Sequence, residues 1–260
     1  MKNLILVGAA TLLGAAPVAL AVAPSAVPDL IWYQFDEPAG STTTKNVAVP
    51  GVGFVTAPVN GHQLGGGVLT GVGGLSGTNY VDTGWNGATG TSSFTVYFEV
   101  SNAPTGNAAL DYFFGNESVG QRAFDDGVAG DTGIALRFGG GAFATALGAS
   151  TPGSTHEVAF VFNTDVDEGY AYVDGALVNT VTGLTTVNVT AGNFKVAGYW
   201  TNTFNAMQAG TKLNDFRVYG RALAASEFVP EPATFALLVP ATLIALRRRG
   251  RGRGRERGRE

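Results

Sequence analysis

The chain of 260 residues contains no cysteine and only two histidines, His62 and His156. The absence of cysteine excludes a disulfide framework, a thiol nucleophile and a cysteine-ligated zinc ion. Two histidines are also few for a zinc site, and neither lies beside a Gly-x-Ser-x-Gly turn. The 200 residues from 29 to 228 can form a sizeable core without covalent links, so we expect packing to supply the stability.

Positive charge is scarce in the middle of the chain. Residues 29–231 hold seven lysines and arginines against eighteen aspartates and glutamates, a balance of −11. Residues 247–260 hold eight arginines against two glutamates, a balance of +6. An acidic middle repels nucleic-acid phosphates, so we expect no nucleic-acid partner. We interpret residues 250–260, rich in arginine and glycine, as a disordered, solvated tail.

Residues 1–26 have the order of a secretory signal peptide. A lysine precedes an apolar run over 4–20, and small residues around Ala21 supply a cleavage site. Because a proline follows Ala23, we expect cleavage after Ala21 or after Ala26. The alternatives are an uncleaved anchor or a core helix. The sequence therefore predicts an exported protein.

A second processing signal lies near the other end of the chain. Fourteen apolar or small residues, 233–246, stand between an acidic tripeptide and a basic stop. The tripeptide and the stop consist of Pro230, Glu231, Pro232, Arg247, Arg248 and Arg249. This order, over residues 229–249, resembles the PEP-CTERM sorting domain of Gram-negative bacteria. The resemblance implies cleavage near the tripeptide by an exosortase and release to the cell surface or the extracellular matrix.

The length of segment 233–246 leaves a permanent membrane anchor open as an alternative. Fourteen helical residues reach roughly 21 Å, less than the roughly 30 Å hydrocarbon core of a bilayer. Snorkelling arginines and local thinning would still permit transient membrane insertion. The arginines would place the preceding domain outside. We expect a processed anchor, with the exosortase and the secretion machinery as partners.

Between the two signals the sequence predicts only β-strands. Short β-prone runs alternate with turn residues, and no long apolar pattern of helical period occurs. Asp174-Gly175 predicts a two-residue hairpin turn, because type I′ turns need positive φ at both positions. Many short strands predict an all-β antiparallel sandwich or jelly roll. Clear strand runs are 31–35, 93–100, 134–138, 157–162 and 170–173.

Residues 29–228 resemble the laminin-G-like domains of the concanavalin A-like jelly rolls. The matching segments, in order, are 33–40, 79–82, 93–96, 156–175 and 213–227. The last segment is the most specific. Independently of the resemblance, its Phe216 and Val218 alternate with polar residues, so one face can pack while the other meets solvent. Gly220 is expected to end that strand, and a short helical turn after it to dock Leu223 onto the sandwich.

No catalytic constellation is visible. Retaining glucanases of this fold need two carboxylates about 5–5.5 Å apart, and no Glu-x-Asp-x-Glu pattern places such a pair on one strand. The nearest run, 165–168, lies between two strands, and we interpret it as a hairpin turn. We therefore expect no catalytic residue and no enzymatic activity.

Calcium is the metal that the composition favours, because carboxylates and carbonyls on loops are its usual ligands. The alternative is that these aspartates are turn formers with solvated side chains. The candidate ligands are Asp82, Asp165, Asp167 and Asp215.

Aromatic side chains offer a further means of ligand binding. Trp85, Tyr199 and Trp200 are expected at strand ends or loops, where they could stack on sugar rings. Trp32 lies in an alternating strand and is expected in the core. Both resemblances imply an exported, non-enzymatic protein that binds extracellular polysaccharide. The alternatives are a structural surface protein without a specific ligand and, third, a divergent glycan-active hydrolase.

Overall fold

The computed structural model describes residues 23–105, 110–116, 121–125, 132–138, 141–185, 187–199 and 204–228. The predicted signal peptide up to residue 22, the sorting segment from residue 229 and the arginine-rich tail lie outside these ranges, as does Trp200. Within the described ranges, no helix is long and apolar enough to cross a membrane.

The described residues form two antiparallel sheets that pack as a sandwich, as the sequence predicted. The first sheet has the strand order β14-β13-β12-β7-β16-β5-β4, and β1 also pairs with β16. The second has the order β11-β10-β9-β8-β15-β6-β3-β2. A short 3-10 helix covers Ala225–Glu227. The strands are β1 (Ile31–Tyr33), β2 (Thr43–Lys45), β3 (Thr56–Asn60), β4 (Gln63–Leu64), β5 (Leu69–Thr70), β6 (Tyr80–Asp82), β7 (Phe94–Ser101), β8 (Tyr112–Gly115), β9 (Arg122–Asp125), β10 (Ile134–Phe138), β11 (Ala142–Ala146), β12 (Thr155–Asn163), β13 (Glu168–Val173), β14 (Ala176–Val181), β15 (Lys195–Val196) and β16 (Lys212–Tyr219).

Turn chemistry sets the hairpins of the first sheet. Between β13 and β14, Asp174 has a φ of 51° and Gly175 a φ of 76°, which confirms the predicted two-residue turn. The acidic run 165–168 likewise makes the connection from β12 to β13, and only its last residue, Glu168, enters a strand. Both connections join strands that pair directly, β12 with β13 and β13 with β14.

The core lies between the two sheets and is rich in phenylalanine. Phe98 on β7 lies at the centre of this core and contacts four other rings. Among them are Phe113, with ring centroids 5.8 Å apart, and Phe216, with centroids 6.3 Å apart. Phe94, Val96 and Val100 point the same way along β7, because alternate side chains of a strand share a face. Removing a buried phenylalanine side chain typically costs about 3–5 kcal/mol, so this cluster is a main source of stability.

Both ends of the described chain cover part of the outer face of the first sheet. The Tyr219 hydroxyl donates to the carbonyl of Ala26 at 3.1 Å, and the ring of Phe228 stacks on Tyr172 at 4.9 Å. Leu223 is buried in the same cluster, which confirms that the segment after β16 docks onto the sandwich. The rest of this outer face, towards residues 99, 157 and 215, stays partly open.

Candidate ligand-binding face

Three acidic side chains line up across neighbouring strands on the outer face of the first sheet. Glu157 on β12 lies opposite Glu99 on β7, and Glu99 lies opposite Asp215 on β16. Their chain neighbours Phe98 and Phe216 point into the core, so the acids point outward. Directly opposite residues have Cβ atoms roughly 4.5–5.5 Å apart. We name Glu157, Glu99 and Asp215 the carboxylate row; all three are half-buried.

Asp215, at one end of the carboxylate row, is fully paired. Nε of Arg217 donates to its Oδ2 at 2.9 Å, and Nε1 of Trp32 donates to its Oδ1 at 3.1 Å. The guanidinium lies 4.7 Å from the ring centroid of Trp32 and 5.3 Å from that of Tyr97. Its Nη1 donates to the carbonyl of Pro24 at 2.6 Å. This end of the row is therefore rigid and its charges are balanced.

Trp32 lies on this outer face, which corrects the expectation that it belongs to the core. β1 has three residues, and its core positions are occupied by Ile31 and Tyr33, both fully buried. Because strand side chains alternate, Trp32 points to the opposite face and is half-buried there. In a strand of three residues the sequence does not show which side chains face the core and which face outward.

Glu99 and Glu157, at the other end of the row, form no ion pair within the described ranges. Nδ2 of Asn214 donates to Oε1 of Glu99 at 2.5 Å. Burial, followed by the negative charges of Glu99 and Asp174, raises the pKa of Glu157 to about 7. Near neutral pH the Glu157 carboxyl is therefore partly protonated beside a second carboxyl.

The open end of the row presents hydrogen-bond donors and acceptors side by side. A carboxylate only accepts, a protonated carboxyl also donates, and the Asn214 amide does both. Oδ1 of Asn214 is buried and receives no hydrogen bond from the described residues. Hydroxyl groups donate and accept as well, so this set suits a polyhydroxylated ligand. Two opposite carboxyls are also the groups that glycosidic-bond hydrolysis requires.

The sequence did not reveal this pair because its members lie on different strands. The pattern sought in the sequence was two acids on one strand, whereas Glu99 belongs to β7 and Glu157 to β12. Their alignment depends on the pairing register, which no local motif encodes. The available signal was weak: each glutamate is a charged residue inside an otherwise apolar or β-prone strand.

The aromatic residues predicted to meet a ligand lie away from the carboxylate row. Trp85 is half-buried and packs against Phe194, with ring centroids 5.1 Å apart. Tyr199 is 1% exposed and stacks on Tyr112 at 4.7 Å, so its ring is shielded from solvent. Trp200 lies outside the described residues. No ring contact joins Trp85 to Tyr199 within the described ranges.

The predicted calcium ligands do not come together. Asp82 belongs to the second sheet, where its Oδ1 accepts a hydrogen bond from the amide of Gly84 at 3.0 Å. Asp165 and Asp167 lie in the β12–β13 turn, and Asp215 is paired in the carboxylate row. In the part of the chain that the structure describes, no group of three or more acidic or histidine side chains is arranged to hold a metal ion.

A comparison with protein-family models assigns the chain to a known superfamily. Residues 75–228, more than half of the chain, match the family model for laminin-G-type domains of the concanavalin A-like lectin/glucanases superfamily. No curated protein sequence matches the chain significantly.

Two solved structures are similar to the chain in fold. One is Trypanosoma rangeli sialidase in complex with sialic acid, with a TM-score of 0.54 and 16% identity, over 82% of this chain and 35% of that one. The other is the binding domain of botulinum neurotoxin DC in complex with SialylT, with a TM-score of 0.52 and 10% identity, over 76% of this chain and 49% of that one. The chain thus spans about a third of the sialidase and about half of the neurotoxin domain. At these identities the similarity shows the fold alone.

Proposed function

Because the chain belongs to the concanavalin A-like lectin/glucanases superfamily, we propose that it binds carbohydrate at the open end of the carboxylate row. The observation that carries this proposal is the group of half-buried polar side chains formed by Glu99, Glu157 and Asn214, in the row whose other end, Asp215, holds the half-buried indole of Trp32. Specific small-ligand sites combine a few convergent polar groups with apolar surface. The sialic acid of the sialidase structure and the SialylT of the neurotoxin structure support a glycan as the ligand class.

The rigid end of the row has a supporting role in this proposal. Asp215 and Arg217 hold Trp32 in place through the hydrogen bond to its indole nitrogen and through the guanidinium above its ring. A ring held in this way can meet the apolar face of a sugar with little loss of side-chain entropy. The polar groups at Glu99 and Asn214 would then bind the hydroxyls of the same sugar.

The proposal is tested with the full chain on a glycan array, followed by calorimetric titration of the glycan that binds. Replacing Glu99 by glutamine or Asn214 by alanine should weaken binding about tenfold, the loss expected for one well-placed hydrogen bond of about 1.4 kcal/mol. Asp36→Asn is the matched control, because Asp36 is an exposed carboxylate outside the row. If all variants bind the glycan with equal affinity, the proposed site is wrong. If the chain binds no glycan on the array, a structural surface protein is the better interpretation.

A divergent hydrolase is the second candidate function, and the Glu99–Glu157 pair favours it. One carboxyl with a raised pKa opposite a second carboxyl is the combination that general acid catalysis on a glycosidic bond uses. We prefer binding without catalysis because Tyr97 and Arg217, on one side of the pair, are buried. A saccharide can therefore extend from the Glu99–Glu157 pair in one direction only, whereas cleavage within a polymer needs sugars on both sides of the reacting bond. Release of reducing ends by the wild type, lost in Glu157→Gln, would favour the hydrolase.

We also propose that the protein is exported and sorted by an exosortase to the cell surface or the matrix. The signal-like residues 1–26 and the tripeptide at 230–232 support this route. Expression in a host that contains an exosortase, with intact-mass measurement of the secreted product, tests it. A mass ending near residues 230–232 is expected. A product that keeps residues 233–260 and is found only in membranes would instead indicate a permanent anchor.

A further inference from the structure

Two arginines lie directly opposite each other on the outer face of the second sheet. Arg137 on β10 pairs in register with Arg122 on β9, and on its other side with Phe143 on β11. The residues between these positions, such as Ala123 and Leu136, are buried in the core, so the arginine side chains point outward. This surface lies on the other sheet from the carboxylate row. We name Arg122, Arg137 and Phe143 the arginine patch.

The arginine patch lacks a countercharge among the described residues. The other arginines of the domain each pair with a carboxylate, Arg217 with Asp215 and Arg221 with Glu227. Within the described ranges no such ion pair forms at Arg122 or Arg137, although acidic residues outnumber basic ones by eleven over residues 29–231. Like charges directly opposite each other destabilise a sheet. An anion bound between them would relieve this repulsion.

Unused donors at both arginines also indicate a missing acceptor. The Nε atoms of Arg122 and Arg137 are buried and have no hydrogen-bond partner among the described residues. Buried polar groups in native proteins are nearly always paired, so each unpaired one needs an explanation. A guanidinium presents its donors as a planar fork that matches the two oxygens of a carboxylate or the oxygens of a sulfate.

Aromatic rings hold the first of these arginines in a fixed orientation. The Arg122 guanidinium lies 5.1 Å from the ring centroid of Tyr199, and its Nη1 donates to the Tyr199 hydroxyl at 3.0 Å. A side chain at Gly115, opposite Arg122, would come within 2.7 Å of both Arg122 and Tyr199. The glycine therefore provides the space in which the arginine and the ring meet. Preorganised donors bind with a smaller loss of entropy.

An exposed ring completes the patch. The Arg137 guanidinium lies 5.9 Å from the ring centroid of Phe143, and Phe143 is 43% exposed. A guanidinium pair beside an accessible aromatic face matches a ligand that has both an acidic group and an apolar ring face. Acidic sugars have both, because their ring C–H groups can contact an aromatic ring while a carboxylate or sulfate meets the arginines.

We propose that the arginine patch is a second binding site, specific for the acidic group of an anionic saccharide. Arg122 and Arg137 bind the carboxylate or sulfate, and Phe143 contacts the sugar ring. The proposal for the arginine patch does not depend on the proposal for the carboxylate row, since the two surfaces belong to different sheets. Either site can therefore fail in experiment without the other. A chain with neutral sugars at one face and acidic sugars at the other would engage both.

The test compares three polymers by calorimetric titration with the full chain: oligogalacturonate for carboxylates, dextran sulfate for sulfates, and neutral dextran. Arg122→Gln and Arg137→Gln should each weaken binding of at least one acidic polymer about tenfold. Lys45→Gln removes the same charge from an exposed position on β2 and should leave binding unchanged. The arginine-rich tail at 247–260 is present in every variant, so its own attraction for polyanions contributes equally. Neutral dextran should not respond to any of these substitutions.

Controls for folding keep the result decisive. Arg122→Lys preserves the positive charge but not the fork, so it should lose most of the affinity while retaining the thermal melting temperature. If the arginine variants melt like the wild type and bind the acidic polymers equally well, the patch is not the site. Equal weakening by Lys45→Gln would reduce the effect to general electrostatics and would also overturn the proposal. The same conclusion would follow if Arg122→Gln and Arg137→Gln weakened binding of single-stranded DNA as much as binding of the acidic polymers.

Discussion

The raised pKa of Glu157 predicts that stability falls as the pH rises. Its carboxyl has a pKa of about 7 in the folded protein, against 4.5 as its ordinary value. Between these values the unfolded chain has lost the proton that the folded chain still holds, so the free energy of unfolding decreases with increasing pH. The destabilisation is absent below pH 4.5 and complete above about pH 7. The difference in pKa corresponds to about 3 kcal/mol. Because Glu157 is only half-buried, solvent screening reduces the expected effect to about 1–2 kcal/mol.

Urea unfolding of the wild type and of Glu157→Gln at pH 5 and pH 8 measures this effect. Glutamine cannot ionise, so the variant should gain about 1–2 kcal/mol relative to the wild type between the two pH values. His156, which contacts Asp174 at 2.9 Å, is present in both proteins, and the comparison therefore cancels its contribution. Glu99→Gln should also reduce the pH dependence, because it removes the negative charge that, after burial, contributes most to the raised pKa of Glu157. A difference between wild type and Glu157→Gln that is the same at both pH values would refute the reasoning.

Three further predictions concern stability. Phe98→Ala should lower the free energy of unfolding by about 3–5 kcal/mol because it opens a cavity among the rings of the core, and urea unfolding at one pH measures this. Arg217→Ala removes the ion-pair partner of Asp215 and the donor to the carbonyl of Pro24, and should cost about 3–5 kcal/mol. Arg221→Ala breaks an exposed ion pair and should cost less than about 1 kcal/mol. Similar losses for the two variants would contradict the difference in burial between the two ion pairs. Gly175→Ala places a side chain at a φ of 76° and should cost about 1–2 kcal/mol in the same assay, with Ala176→Gly as a control beyond the turn.

Features encoded by adjacent residues could be predicted from the sequence. β10 has the bounds expected for it, because Ile134–Phe138 is a short apolar run that ends in glycines. Asp174 and Gly175 form the expected turn, because the requirement for positive φ depends on these two residues alone. Phe216 and Val218 point into the core, as their alternation with polar residues indicated.

Features that depend on distant residues could not be predicted. The carboxylate row exists because three strands pair in one register, and its acids are far apart in the chain. The burial of Tyr199 depends on Tyr112 and on the space that Gly115 leaves, neither of which is near it in sequence. Trp32 has its phase set by the pairing of β1 with β16, where it lies opposite Arg217.

The most direct test of the proposed carbohydrate site uses the indole signals of the three tryptophans. The glycan selected on the array is titrated into protein labelled with nitrogen-15 at tryptophan, and the three N–H resonances are followed by nuclear magnetic resonance. The indole N–H of Trp32 is hydrogen-bonded to Asp215 in the carboxylate row, whereas Trp85 packs against Phe194, away from the row. We predict that the Trp32 resonance shifts with saturable dependence on glycan concentration while that of Trp85 does not. A shift confined to the other tryptophans, or saturable binding with no change at Trp32, would contradict the site.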